Sequence, residues 1–223
     1  MLGQNIVWAQ IPGYPSLIDQ EGDIMRFSAG DLKSTALFAV LYVVVVAVFW
    51  QLGTRAPITQ VLAPFYLPIV AGLPFMLFLK RVSHFGMVTA MGLLAAVLLL
   101  VTGQPYWVLM LAMLFAPTAD IIAASGHYKN WVCNLLGYVV FAIPIIGTVI
   151  PLFYSLDAVA IGKEQAWIDA MNMLTPGWMF VMVIALLIGG ASIGGYVGHE
   201  IQAMIKPTPS RPWWGRTASV HQH

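Results

Sequence analysis

Asp120 sits in LFAPTADIIAAS, where no other charge accompanies it. A carboxylate in such apolar company could carry a proton or a cation, because a charge at a bilayer centre costs ~2.5–3.5 kcal/mol on insertion scales. The plainer role, and the one adopted here, is structural. The acid would accept hydrogen bonds from Tyr128, Asn134 or backbone amides in the turn that follows. Met171-x-Met173 is a soft thioether pair of the kind that suits Cu(I), but no histidine stands beside it, so no metal and no cofactor is expected. Aromatic and polar residues gather at three places: Trp50, Gln51 and Arg55; Gln104, Tyr106 and Trp107; Tyr154, Trp167, Asn172 and Trp178. Aromatic walls with a few polar groups suit a flat or heterocyclic ligand. Arg55 would then meet a carboxylate or phosphate on it. Trp and Tyr also collect at membrane interfaces as anchors, so no single aromatic decides the matter. No GxxxxGK[ST] phosphate loop is present, so ATP hydrolysis is not expected of this chain.

These residues are embedded in a very apolar chain. Of 223 residues, 60% are hydrophobic and 9% charged, and the mean hydropathy is +0.83. Soluble domains carry roughly 25% charged residues, so this chain could not coat a water-exposed surface. The class is an all-α integral membrane protein. A net charge of +1 gives no reason to expect nucleic acid, and the single Cys133 cannot close an internal disulfide.

A spanning helix needs ~20 apolar residues. Six stretches qualify, at about 34–52, 58–79, 85–102, 105–124, 131–153 and 177–203. Pro64, Pro68 and Pro74 should kink the second and Pro117 the fourth, since each removes a helix hydrogen bond. Six spans place both termini on one side. With that side cytoplasmic, Arg26, Lys33, Lys80, Arg81, Lys129, Lys206, Arg211 and Arg216 lie inside, and only Arg55 and Lys163 outside. Eight cations against two satisfy the positive-inside rule. His84, His127 and His199 are then cytoplasmic as well.

Residues 1–30 read as a polar N-terminal extension, touching the interface through Trp8 and Tyr14. They lack the unbroken apolar stretch of a signal peptide. Residues 31–205 form the membrane domain. Residues 206–223 form a cytoplasmic tail whose Arg211, Trp213, Trp214 and Arg216 suit an anionic inner leaflet. The long outer segment YSLDAVAIGKEQAWIDAMNMLTP is unusual for a compact protein. Within it, 163–174 should form a short amphipathic helix with Ala166, Trp167, Ala170, Met171 and Leu174 on one face, lying over the outer mouth of a pocket. The last span carries Gly190-x-x-x-Gly194-x-x-x-Gly198, a groove that lets another helix approach closely. Packing within the bundle is its expected use.

Several stretches resemble a known family: DLKSTALFAVLYVVV, GLPFMLFLKRVSHFGMVTAMG, ADIIAASGHYKNWVCNLLGYVVFA and GGASIGGYVGHEI. From about residue 31 to about 205 the chain resembles the S components of energy-coupling factor (ECF) transporters, most closely the MptD-type putative S components. The resemblance implies six membrane helices in a prokaryotic cell membrane. It implies capture of a small micronutrient at the outer face, and partnership with a coupling membrane subunit and two ATPases. It also implies that a small-residue pair on the first helix meets the coupling subunit. The usual Ala-x-x-x-Ala reads Ala36-x-x-x-Val40 here, with Thr35-x-x-x-Ala39 in the adjacent frame, so the motif is weaker. The competing classes are an integral membrane enzyme acting on lipid-like substrates and a scaffold without a ligand. An enzyme would need clustered acids or histidines at one depth, and apart from Asp120 the spans offer none.

Overall fold

The computed structural model describes residues 29–82 and 84–204, and no strand occurs among them. The expectations placed on the N-terminal extension and on the tail therefore fall outside the described residues. Ten α-helices follow in order: α1 Ala29–Gly53, α2 Pro57–Val61, α3 Ala63–Leu79, α4 Met87–Val101, α5 Trp107–Ser125, α6 Trp131–Ala142, α7 Ile150–Tyr154, α8 Leu156–Val159, α9 Gln165–Leu174 and α10 Gly177–Met204. A 3-10 segment, Ile143–Thr148, continues α6. By length and composition, α1, α5, α10 and the stretch Trp131–Thr148 can each cross a membrane, while α3 and α4 are shorter apolar helices. At ~1.5 Å per residue, the 17 residues of α3 span about 26 Å. α2, joined to it through Leu62, extends the segment toward the ~30 Å of a hydrocarbon core.

The six apolar helices close a ring. Contacts run from α3 to α10, α10 to α6, α6 to α5, α5 to α4, α4 to α1 and α1 back to α3. Aromatic rings fill the middle. Phe75 of α3 lies 4.6 Å from Phe141 and 4.9 Å from Tyr138 of α6, and Tyr42 of α1 meets Phe141 edge-on at 5.5 Å. Apolar side chains also cover the outside: Leu37, Val44, Met113 and Val181 are all more than half exposed. Such a surface would be a liability in water and is the expected one in lipid.

α3 and α10 form the tightest seam, and they run parallel. Phe65 faces Gly190, Pro68 and Ile69 face Gly194, Gly72 faces Gly198, and Met76 meets Gln202. These pairs advance by three or four residues on both helices, so the same faces stay in register over three turns. A Cβ on Gly194 would collide with the Pro68 carbonyl, and one on Gly190 with the Phe65 carbonyl. The glycine groove is therefore filled by the proline-rich helix.

The prolines expected to kink the second and fourth spans all sit inside helices. α3 continues unbroken through Pro68 and Pro74, and α5 through Pro117. Pro64 stands in the first turn of α3, where a missing N–H is harmless. The Tyr138 hydroxyl donates to the Pro68 carbonyl, and α10 covers the rest of that face. α6 is the helix that gives way to 3-10 geometry, at Ile143. Pro144 has no N–H to give Val140 O, which instead accepts from the Ile143 N–H. Gly147 there lies so close to α5 that a Cβ would come 2.5 Å from the Val108 nitrogen.

Candidate functional site

One end of the bundle collects the start of α1, the α3–α4 turn with Lys80 and Arg81, the α5–α6 turn and the end of α10. Asp120 is fully buried at this end. Its Oδ2 accepts from the Gly86 N–H (2.9 Å), the Thr89 N–H (2.9 Å) and the Thr89 hydroxyl (2.9 Å). Its Oδ1 accepts from the Tyr128 hydroxyl at 2.7 Å. The reason lies in α4. The first N–H groups of a helix have no partner within it. The N-cap residue here, Gly86, has no side chain to supply one. Asp120 reaches over from α5 and caps α4 in its place, and its charge also complements the helix dipole.

The backbone after α5 is shaped around the same carboxylate. His127 and Tyr128 are left-handed, with φ of 52° and 55°, a region costly for residues with a Cβ. The turn is held by Tyr128 N–H to Ala123 O at 3.0 Å, by Asn134 Nδ2 to Tyr128 O at 3.0 Å, and by the Tyr128–Asp120 bond. Asn130 then caps α6 through Val132 N at 2.9 Å. Burial pushes the pKa of the Tyr128 hydroxyl well above its usual range, and the hydrogen bond and negative charge of Asp120 push it further the same way. Of the partners expected for Asp120, Tyr128 is one. Asn134 serves the Tyr128 carbonyl instead, and the backbone amides come from the α3–α4 turn rather than the α5–α6 turn. Gly86 and Thr89 are 34 and 31 residues away in sequence. The available signal was a helix start with glycine and no capping side chain, in a chain with one deeply apolar acid.

Further ties close this end. Lys80 Nζ donates to the Gln202 carbonyl near the C-terminus of α10, and Gln202 Nε2 donates back to Met76 O at 2.7 Å. His84 Nδ1 lies 3.6 Å from Asp31 Oδ2. Trp131 stacks on His199 with ring centres 4.2 Å apart.

The opposite end holds the ligand candidates, and the structure does not gather them around one cavity. Trp50 and Trp167 pack against a small second core of Val61, Val149, Leu152, Met171 and Val183. Tyr106 and Trp107 stack on each other at 4.9 Å. Gln51, Arg55, Tyr154, Asn172 and Trp178 are exposed. Arg55 occupies the turn between α1 and α2. Gln104 alone among the ten is buried, at 8% exposure.

The amphipathic helix expected over 163–174 is α9. It rests on α2 through Met171, which is fully buried, whereas Met173 is 81% exposed. The two thioethers therefore point to different sides and cannot share a metal. Ala166, in the first turn of α9, is exposed rather than on the packed face, and the helix begins at Gln165 rather than at 163. Lys163 Nζ lies 5.4 Å above the Trp167 ring.

On α1, Thr35 and Ala39 are buried inside the bundle, while Val40 is 48% exposed and Ala36 half-buried. Only the Ala36/Val40 frame is presented outward. A cavity of about 20 Å³ lies between α1, α4, α5, α6 and the 3-10 segment, lined entirely by uncharged residues.

Residues 29–203, nearly the whole described bundle, match the model of a family described as hypothetical bacterial integral membrane proteins (Trep_Strep). No curated protein and no solved structure matches the chain. The chain belongs to the Trep_Strep family and is a bacterial integral membrane protein.

Proposed function

We propose that this Trep_Strep member is the substrate-capture subunit of an ECF-type importer in the bacterial cytoplasmic membrane. It takes a small micronutrient at the outer face and delivers it inward with a coupling membrane subunit and two ATPases, hydrolysing no ATP itself. The six apolar helices are six spans in this reading, both termini are cytoplasmic, and the Lys80–Arg81 end faces the cell. The likeness to S components along residues 31–205 supports it.

The observation that carries it is the asymmetry between the two ends. The Asp120 end is knotted by hydrogen bonds between helices. The other end is roofed by α9 on a small core of its own, which is what an opening mouth requires: local opening free energies are low where few apolar contacts hold a segment. The outward Ala36/Val40 frame is the coupling-subunit contact, since close helix approach needs small side chains. Thr35 and Ala39 serve packing.

Purification from the native membrane tests the reading. The expected result is a complex with one further membrane subunit and two ATPases. Trp107→Ala and Arg55→Ala should lower the amount of co-purified small molecule without lowering the amount of protein in the membrane. Turnover of a lipid by the chain alone would overturn the proposal in favour of a membrane enzyme.

A further inference from the structure

Tyr42, near the middle of α1, is 3% exposed, and no hydrogen bond joins its hydroxyl to any described residue. Tyr138, buried in the same core, differs: its hydroxyl donates to the Pro68 carbonyl. Buried polar groups are nearly always paired, and an exception calls for a reason. The Tyr42 hydroxyl is not sealed either. Among the described residues, the buried side-chain atoms that lack a partner and are closed off from a water-sized sphere are Gln104 Oε1 and Asn134 Oδ1. The open space beside Tyr42 is the small cavity between α1, α4, α5, α6 and the 3-10 segment, which the Tyr42 side chain itself lines.

That cavity is a slot. Its lining runs from Gly92 to Leu99 along α4 and from Val108 to Ala116 along α5, about 10–12 Å at ~1.5 Å per residue. Between those limits the two helices contribute only alanines, Ala95, Ala96 and Ala112. The Tyr42 and Phe141 rings, edge-on at 5.5 Å, supply the aromatic part, and the Tyr42 hydroxyl is the one polar side-chain group in the lining. α4 and α5 cannot come closer at Gly92, where an added Cβ would lie 2.6 Å from the Ala116 Cβ. The remaining wall, Pro144 and Ile145, belongs to the 3-10 segment. Its six residues are long for 3-10 geometry, and such a stretch within a helical span often marks a hinge. The slot is thus firm on the α4–α5 side and adjustable on the other.

We infer that this slot is a ligand site anchored by the Tyr42 hydroxyl, and that it takes a slim, neutral, mostly apolar molecule carrying a hydrogen-bond acceptor such as a carbonyl. The inference names a substrate class for the capture reading above and rests on it. Neutrality follows from the lining: no acid or base is there to compensate a charge, and an unpaired buried charge is strongly disfavoured. Slimness follows from two helices packed closely enough to be walled by alanine. The acceptor follows from the unused O–H, since an idle buried donor is costly. At about 20 Å³ the closed slot has room for little more than one water-sized group, so the ligand enters as Pro144 and Ile145 move back.

The test uses 2-pentanone and pentane, which share a slim carbon chain and differ in the carbonyl. Each is added to the full-length protein and to Tyr42→Phe, both in detergent, and the melting temperature is read. 2-Pentanone should raise the melting temperature of the wild-type protein at least twice as far as that of Tyr42→Phe. Pentane should act equally on both, which removes any effect of the probes on the micelle. Without probe, Tyr42→Phe should melt no lower than the wild-type protein. Equal 2-pentanone shifts in the two proteins, or none in the wild type, overturn the inference. So does an unliganded Tyr42→Phe that melts several degrees lower, which would mark the hydroxyl as served by a structural water. A 4,4-azi (diazirine) analogue of 2-pentanone reads the location: on illumination it should label residues within 92–116, and label confined to other segments overturns the site. A selective 2-pentanone shift without co-purifying ATPases keeps the site and removes the importer reading. ATPases present without a selective shift remove the site alone.

Discussion

Asp120 and Gln104 are both buried, at opposite ends of the same bundle, and their oxygens are treated in opposite ways. Asp120 accepts four hydrogen bonds, from Gly86, from Thr89 twice and from Tyr128. Gln104 Oε1 accepts none. The charged group, which costs more to bury, is the satisfied one. The neutral group, which a modest adjustment could have paired, is not. A carboxylate that accepts four hydrogen bonds has a structural use, and its position in the apolar layer is accounted for by the helix start it caps. The Gln104 oxygen has no such use among the described residues.

The largest predicted effect would erase the contrast altogether. Gly194→Leu places a side chain where the Pro68 carbonyl and Ile69 backbone now sit. The α3–α10 seam spans both ends, and overpacking against backbone cannot be relieved by a rotamer change. No folded protein should be recoverable from the membrane, as judged by size-exclusion profile. A monodisperse peak would show that the seam tolerates separation.

Asp120→Leu attacks one end only. It strands four donors, two of them backbone amides, and should cost about 3–5 kcal/mol, read as a fall in melting temperature in detergent. Asp120→Asn keeps one acceptor oxygen and should lose about half of that. Equal losses in the two variants would mean that the charge, rather than the acceptor, is what matters.

Tyr128→Phe is milder, at about 1–2 kcal/mol, and it sharpens the assignment through pH. The folded pKa of Tyr128 is raised. The stability linked to it is therefore complete below the ordinary tyrosine value of ~10 and drains away as pH climbs from there toward the folded value. Wild-type protein should lose stability in that alkaline window more steeply than Tyr128→Phe. Parallel curves would show that the hydroxyl is not held by Asp120. The smallest effect, and the only gain, is a rise of a few degrees in melting temperature for Gln104→Met, which removes the unpaired oxygen and tests the other side of the comparison directly.

Much of this was legible in the sequence because bilayers impose a simple rule on length and charge. The six apolar stretches correspond to α1, α2–α3, α4, α5, α6–α7 and α10, most with ends displaced by only a few residues. α9 is legible from its spacing of Trp167, Ala170, Met171 and Leu174. The bond from the Tyr138 hydroxyl to the Pro68 carbonyl, across 70 positions, is the kind of long-range tie that local propensity does not encode. The 3-10 turn at Pro144 depends on how closely Gly147 can approach α5, which no single-segment pattern encodes. Tyr128 could be named as a partner of Asp120 because it follows eight residues later on the next turn. Gly86 and Thr89 went unnamed although α4 and α5 are consecutive helices, whose antiparallel pairing across the short 102–106 connection sets the start of α4 beside the end of α5. For the ligand candidates, position at helix ends was readable, but burial was not, and burial is what sets Gln104 apart from Arg55.

The parallel pairing of α3 with α10 has a consequence for biosynthesis. Neighbouring antiparallel helices can zip together as they leave the ribosome, but α3 must wait for a partner that is translated after the other four apolar helices. The 111 residues from Leu79 to Gly190 take roughly 6–22 s to make at ~5–20 residues per second. During that interval the Pro68 and Gly72 face stands open to lipid or to a chaperone. The nascent bundle thus remains an unclosed arc until α10 is inserted, and any stop codon upstream of that helix leaves the arc permanently without its clasp.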